Sequence, residues 1–135
     1  MNRNDLKVYK YNQKWIEGRL EYIKEYKERI SSISISLSGI KIEKKVQDTM
    51  AENLAILLDN INELLDRINA EAQKQKEILN QLEKVKQPYR VILEKVYIQG
   101  KTLVTVASEL NYSYEDICRK NGKALDLFDS LEINQ

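Results

Sequence analysis

The sequence contains no histidine, one cysteine, one proline and four glycines among 135 residues. Without histidine there is no His-based general acid or base, no Ser–His nucleophile and no ordinary zinc site. The single cysteine, Cys118, cannot form a disulfide within the chain, which suits a reducing cytoplasm. The four glycines lie far apart, so there is no glycine-rich phosphate loop. We therefore expect a binding protein, not an enzyme, with no cofactor, metal or small-molecule substrate.

The scarcity of glycine and proline also limits the fold, because sandwiches, barrels and doubly wound sheets need many turns. Long helices are the expected alternative. No apolar run approaches the length of a membrane span, and the polar start, MNRNDLK, does not resemble a signal peptide. We expect a cytoplasmic protein with no membrane partner. Its 22 basic and 21 acidic residues nearly balance, so no overall basic field indicates nucleic acid.

The first segment predicts an amphipathic helix from about 6 to 30. Ile16, Leu20, Ile23 and Ile30 recur at helical spacing and line one face. The following stretch, 31–42, alternates Ile or Leu with Ser or Lys, which is the period of a strand. Since a single strand has no partner in this sequence, we predict an extended connector that either pairs with its copy in another subunit or stays mobile.

The second segment predicts a longer helix, from about 43 to 87, that carries a coiled-coil seam. Spacings of four and three residues alternate from Met50 to Ile68, after which the next two seam positions are Glu71 and Gln75. If the first helix folds back antiparallel, it reaches only to about Ile68, because both helices rise equally per residue. We therefore predict a helical hairpin over 1–87 whose seam becomes polar where the first helix ends. The apolar seam consists of Met50, Leu54, Leu57, Ile61, Leu64 and Ile68.

Apolar residues resume in phase at Ile78, Leu82 and Val85. Beyond the reach of the first helix, these side chains must pack on either the C-terminal segment or a second chain. We therefore assign these three residues to the oligomerisation contact of a homodimer.

The last segment, 88–135, predicts three short helices with well-marked ends. Pro88 favours the first turn of a new helix, and the following helices are bounded by residues suited to caps and tight turns. We predict an all-α fold in which a long antiparallel coiled-coil hairpin over 1–87 precedes a three-helix helix-turn-helix domain over 88–135. The third helix would be the recognition helix. The capping residues are Gly100, Thr102, Asn111 and Ser113, the last paired with Asp116.

The string GKTLVTVASELNYSYEDICRKNGKAL, at 100–125, resembles region 4 of the sigma-70 family without a gap. The matching features are Gly-x-Thr-Leu, a Val-Ala pair, a turn ending in Ser, and Lys-Ala-Leu near the end of the third helix. With a helical hairpin before it, the chain resembles small sigma-region-4-like regulators encoded by phages and integrative elements of Gram-positive bacteria. The NYSY sequence at 111–114 is typical of those phage proteins.

The resemblance implies binding of double-stranded DNA through the third helix. Arg119 as a DNA contact competes with Arg119 as a solvated surface residue, and Tyr114 either contacts DNA or covers the turn. Cys118 lacks an obvious activator and is expected to be chemically inert. Sigma factors usually carry arginine where Tyr114, Asp116 and Cys118 stand. The residues assigned to DNA binding are Ser113, Tyr114, Glu115, Asp116, Cys118 and Arg119, with Lys120 and Lys123 for phosphates.

These inferences predict a sequence-specific transcriptional regulator of a phage or integrative element, acting as an activator of late or transfer genes in a bacterial host cell. RNA polymerase is a further candidate partner. The alternative is a helical protein-interaction module that does not bind DNA and contacts RNA polymerase, a host protein or its own copy. The near balance of charge supports this alternative, because DNA-binding domains usually carry a basic surface.

Overall fold

The computed structural model describes residues 1–39 and 44–133, and every regular element in these residues is a helix. The predicted all-α fold class is therefore confirmed. Within these ranges, no helix combines the length and apolarity needed to cross a lipid bilayer. The elements are α1 (Arg3–Lys7), α2 (Tyr9–Gly39), α3 (Lys44–Leu82), α4 (Tyr89–Leu93), a π-helical turn at Glu94–Ile98, α5 (Leu103–Leu110) and α6 (Tyr114–Ile133).

Helix α2 continues to Gly39, so the predicted extended connector is wrong for 31–39, and its remainder at 40–42 lies outside the described residues. The Ser32 hydroxyl donates to the Glu28 carbonyl at 3.2 Å, which is a bond made within a helix. Extending an existing helix costs far less than starting one, because each added residue gains a hydrogen bond. Serine and isoleucine therefore continue α2 despite their alternation.

The described chain divides into two compact units, Met1–Lys14 with Ala72–Gln135 (unit 1) and Trp15–Glu71 (unit 2). This division does not fall at the predicted boundary between 87 and 88, because the start of the chain packs into the same core as its end. In unit 2, Ile23 of α2 packs with Ile61 and Ile68 of α3, and each of these side chains is buried.

The first helical segment reaches further along α3 than the sequence indicated. The Gln75 amide donates to the Tyr9 carbonyl at 3.4 Å, so the expectation that the first helix ends opposite Ile68 is wrong. Glu71 is half-buried. The helical register extends beyond both predicted ends of the first segment, to Arg3 and Gly39, with a single break at Val8. The polar seam position Gln75 therefore marks a hydrogen bond to the first segment and not the absence of that segment.

Ile78, Leu82 and Val85 lie in the core of unit 1, where the C-terminal segment packs on them. These side chains are 3%, 1% and 3% exposed and pack with Leu93 and Phe128. The C-terminal segment of the same chain covers them. These three residues are therefore not available for the predicted contact with a second chain. Leu6, Tyr9, Ala124 and Leu125 complete this core.

A buried glutamine holds the start of the chain against α6. The Gln81 amide nitrogen, in a side chain with no exposure, donates to the carbonyls of Met1 at 2.6 Å and Phe128 at 2.9 Å. Arg3 adds charged hydrogen bonds from its guanidinium to Asp126 at 2.6 Å and Asp129 at 2.5 Å. These contacts place α1 on α6 and complete the core of unit 1.

Candidate nucleic-acid interface

Helix α6 begins after a tight turn at 111–113 that is built by side-chain and backbone capping. Asn111 ends α5 in the left-handed conformation, at φ 62°, and the Ser113 hydroxyl accepts from the Asp116 amide at 3.1 Å. Thr102 caps the start of α5 by accepting from the Thr105 amide at 3.2 Å. Gly100 has a φ of 75°, as its predicted role of ending the preceding helix requires. All four predicted capping residues are confirmed.

The inward side of α6 is fixed by a dry apolar contact with α4 and α5. Ile117, Ala124 and Phe128 have no exposed surface. Ile117 packs with Ile92, Val106 and Ala107, whereas Ala124 and Phe128 belong to the core of unit 1 described above. Because these positions recur at helical spacing, their burial forces the opposite side of α6 to face outward.

The outward side of α6 carries Glu115, Arg119 and Lys123, which are all exposed and spaced four residues apart. The Arg119 side chain is 79% exposed, and its guanidinium lies 3.7 Å from the Asp116 carboxylate. An ion pair at this distance and exposure holds the guanidinium weakly, because water screens it. Arg119 is therefore available to a ligand that offers it better hydrogen-bond acceptors.

Cys118 and Tyr114, two further residues assigned to DNA binding, lie beside the outward row of α6 and not within it. Cys118 is half-buried and packs beside the Ile117 cluster, so its side chain does not belong to the outward face. Tyr114 is 54% exposed, and a hydrogen bond with the Cys118 thiol raises the pKa of the Tyr114 hydroxyl. Tyr112, and not Tyr114, is the tyrosine that packs against the core at the turn.

The two predicted phosphate-binding lysines both lie over tyrosine rings. The Lys120 ammonium is 5.1 Å from the centre of the Tyr112 ring, and the Lys123 ammonium is 5.2 Å from that of Tyr89. Lys86 also contacts the Tyr89 ring, with its ammonium 5.9 Å from the ring centre. Sequence reasoning missed Lys86 and Tyr89, because nothing in the spacing indicates that residue 86 lies near residue 123.

Charge on the C-terminal half of α6 is compensated within the chain. Asp126 and Asp129 bind Arg3, so the charge of this arginine is neutralised within unit 1. On α2, the Lys10 ammonium donates to the Gln13 side-chain oxygen at 3.3 Å. The positive charges along the first half of α6 are Arg119, Lys120 and Lys123, with Lys86 beside the Tyr89 ring, and the nearby acidic side chains are Glu115 and Asp116.

Within the described ranges, no three His, Cys, Asp or Glu side chains are placed to hold a metal ion together. Comparison with models of protein families, with curated proteins and with solved structures finds no match to this chain. The case for function therefore depends on the geometry of α5 and α6 and on the resemblance stated above.

Proposed function

We propose that this protein is a sequence-specific regulator of transcription that binds double-stranded DNA through the outward face of α6. In this proposal α5, the turn at 111–113 and α6 act as a helix-turn-helix, and the start of α6 enters the major groove. The observation that carries the proposal is the row of Glu115, Arg119 and Lys123 on a helix whose other side is buried.

The exposed guanidinium of Arg119 is the group best suited to reading a base. Arginine donates two parallel hydrogen bonds to the O6 and N7 atoms of guanine, and this is the commonest specific contact in the major groove. The Asp116 carboxylate, 3.7 Å away, pairs with the guanidinium only weakly and leaves it exposed. Glu115 lies on the same face, where a carboxylate is useful for accepting from cytosine N4 and unfavourable next to a phosphate.

The lysines beside this row are placed for the phosphate backbone. Lys86 and Lys123 share the Tyr89 ring, so two exposed ammonium groups from separate segments lie together at the edge of α6. Lys120 adds a third over Tyr112. Phosphate contacts of this kind fix the register of a protein on DNA and supply most of its sequence-independent affinity.

The resemblance of 100–125 to sigma region 4 supports a proposal about which genetic element carries this regulator and which genes it controls. It supports a regulator carried by a phage or integrative element of a Gram-positive bacterium, acting as an activator of late or transfer genes. RNA polymerase would then be a second partner, since sigma region 4 acts within that enzyme.

The test is selection of bound fragments from a pool of random duplex DNA, followed by affinity measurements across a salt series. Arg119→Ala should lose roughly 1–3 kcal/mol and relax the preference at one base position. Lys123→Ala should weaken all sequences about equally and lower the salt slope by about one. Glu115→Ala should change preference more than affinity.

Lys76→Ala is the matched control, because Lys76 is an exposed lysine on α3 whose loss should leave DNA binding unchanged. Equal affinity of the wild type and of the Arg119→Ala/Lys123→Ala double variant for the selected sequence would overturn the proposal. Failure of the wild type to enrich any sequence would favour the protein-interaction module instead.

A further inference from the structure

Helix α3 carries a second seam, beside the one that packs on α2, and this second seam is exposed. Its positions alternate at four- and three-residue spacing and contain no charged residue, in a chain of which 32% is charged. Leu58 and Leu65 are 46% and 38% exposed, which is unusual for leucines at regular spacing in one row. The second seam consists of Ala51, Ala55, Leu58, Asn62, Leu65 and Asn69, all exposed.

The residue types along the second seam are those of a two-stranded parallel coiled coil. In heptad notation Leu58 and Leu65 occupy d positions, while Asn62 and Asn69 occupy a positions. Leucine at d favours two strands, and asparagine at a fixes the register and the number of strands at a cost in stability. Neither asparagine side chain hydrogen-bonds any residue that the structure describes. Their amides are therefore available to a partner helix.

We propose that the partner is the same seam of a second copy of this chain, aligned parallel. In that arrangement every seam residue meets its own counterpart, so Asn62 and Asn69 each face an amide that can both donate and accept. Leu58 and Leu65 then bury each other's exposed surface. This contact differs from the Ile78, Leu82 and Val85 stripe, which the chain covers itself.

Charge complementarity supports this partner. Tyr22 of α2 lines a cavity with Asn60 and Arg67 of α3, so these three residues mark one flank of the contact between the two helices in unit 2. The second seam lies on the opposite flank, because helical rotation puts Leu58 and Leu65 on the other side of the buried Ile61 from Asn60 and Arg67.

On that opposite flank, α2 presents Lys24 and Lys27 beside Leu20, with the acidic Glu28 next to them. In a parallel dimer, an acidic row beside the second seam of one copy would face Lys24 and Lys27 of the other copy. That row is Asp59 and Asp66, each of which directly follows a leucine of the second seam and is exposed. The paired surfaces thus combine an apolar centre with rims of opposite charge, as coiled-coil partners do.

Sedimentation of the full chain without DNA tests this inference, from low micromolar to submillimolar concentration. The wild type should convert from monomer to dimer, and the double variant Leu58→Lys/Leu65→Lys should remain monomeric throughout. Ile56→Lys is the matched control, because Ile56 is 58% exposed on the same helix but lies off the second seam, so it should dimerise like the wild type. Circular dichroism of each variant should show unchanged helix content, since all three side chains are exposed.

The charge pairing has its own test in the same experiment. Asp59→Lys should raise the dissociation constant of the dimer at least about tenfold, and adding Lys27→Glu should restore most of it. A wild type that stays monomeric, or a Leu58→Lys/Leu65→Lys variant that dimerises equally well, would overturn the proposal. If adding Lys27→Glu to Asp59→Lys left the dissociation constant as high as in Asp59→Lys alone, the parallel geometry would be overturned. Because no DNA is present, none of these outcomes depends on the proposed function.

Discussion

At the scale of single residues, Gly122 stands out because nothing inside the chain requires a glycine there. It lies within α6, next to the outward row, and a Cβ atom placed on it would have no neighbour within 4 Å. Glycine inside a helix is less favourable than alanine by about 1 kcal/mol. A partner that approaches the α6 backbone closely would account for this cost, and on the proposed function that partner is DNA.

Gly122→Ala should therefore stabilise the protein by about 1 kcal/mol in chemical denaturation and weaken its binding to DNA. Gly18→Ala is the control, since Gly18 is also helical and also has nothing within 4 Å of a Cβ atom. It should give a similar gain in stability and leave DNA binding unchanged. Full DNA affinity in Gly122→Ala would show that no close approach occurs at this residue.

At the scale of elements, α5 is tied to the helix before it by one carboxylate between two lysines. Glu109 accepts from Lys95 at 2.8 Å and from Lys101 at 2.7 Å. Hydrogen bonds to Lys101 first, and then to Lys95, lower the pKa of the Glu109 carboxyl below its ordinary value of 4.5. The folded state therefore binds this proton less readily than the unfolded state does.

The stability contributed by Glu109 should be fully present above about pH 4.5 and disappear as the pH falls through its lowered pKa. Glu109→Gln should unfold more easily than the wild type at neutral pH, and the two proteins should converge in acid. Thermal melts at a series of pH values, at low salt, measure this difference. A constant gap between the two curves from neutral pH to pH 3 would contradict an ionic origin.

The helix ends of the C-terminal segment were predictable, because capping is local chemistry. Thr102, Asn111 and Ser113 each act on backbone groups within a few residues, so their side chains nearly specify the turn. The stretch 31–39 was not predictable by the same means. The alternation of Ile and Ser predicts a strand, but it does not prevent a helix. The stretch is helical because extending the helix that starts far upstream is cooperative.

At the scale of the whole molecule, the two units have separate cores. Phe128 and Leu82 belong to the core of unit 1, whereas Ile23, Ile61 and Ile68 form that of unit 2. The core of unit 2 contains far fewer buried side chains. Since the free energy of burial scales with the apolar area removed from water, unit 2 should be the less stable of the two. Trp15, the single tryptophan, lies in unit 2 and reports on it alone.

Ile61→Ala should lower the stability measured by Trp15 fluorescence by roughly 2–5 kcal/mol, because it leaves a cavity in the core of unit 2. Phe128→Ala should cost roughly 3–5 kcal/mol in unit 1, seen by far-ultraviolet circular dichroism, and leave the Trp15 transition in place. The comparison is made in urea, with both signals recorded on the same samples. If each variant shifted both signals together, the two cores would unfold as one.

Periodicity predicted which faces of the long helices are buried but not what buries them. Ile78, Leu82 and Val85 were recognised as a buried stripe, yet their spacing is the same whether α6 or a second chain covers it. The burial of Gln81 could not be predicted from the sequence, because a glutamine beside an apolar stripe is usually a surface residue. Its burial follows only from the two carbonyls that the fold brings to its amide.

Helix α6 separates what holds the fold together from what faces a partner. Ile117, Ala124 and Phe128 stabilise the core, while Arg119 and Lys123 are exposed and, in the described part of the chain, make only an ion pair with Asp116 and a ring contact with Tyr89. Substitution at the outward positions therefore costs the fold little, and selection can act on them independently of the buried ones. The binding preference of this scaffold is evolvable: a lineage can retarget it by changing two or three outward side chains while every residue of the core stays the same.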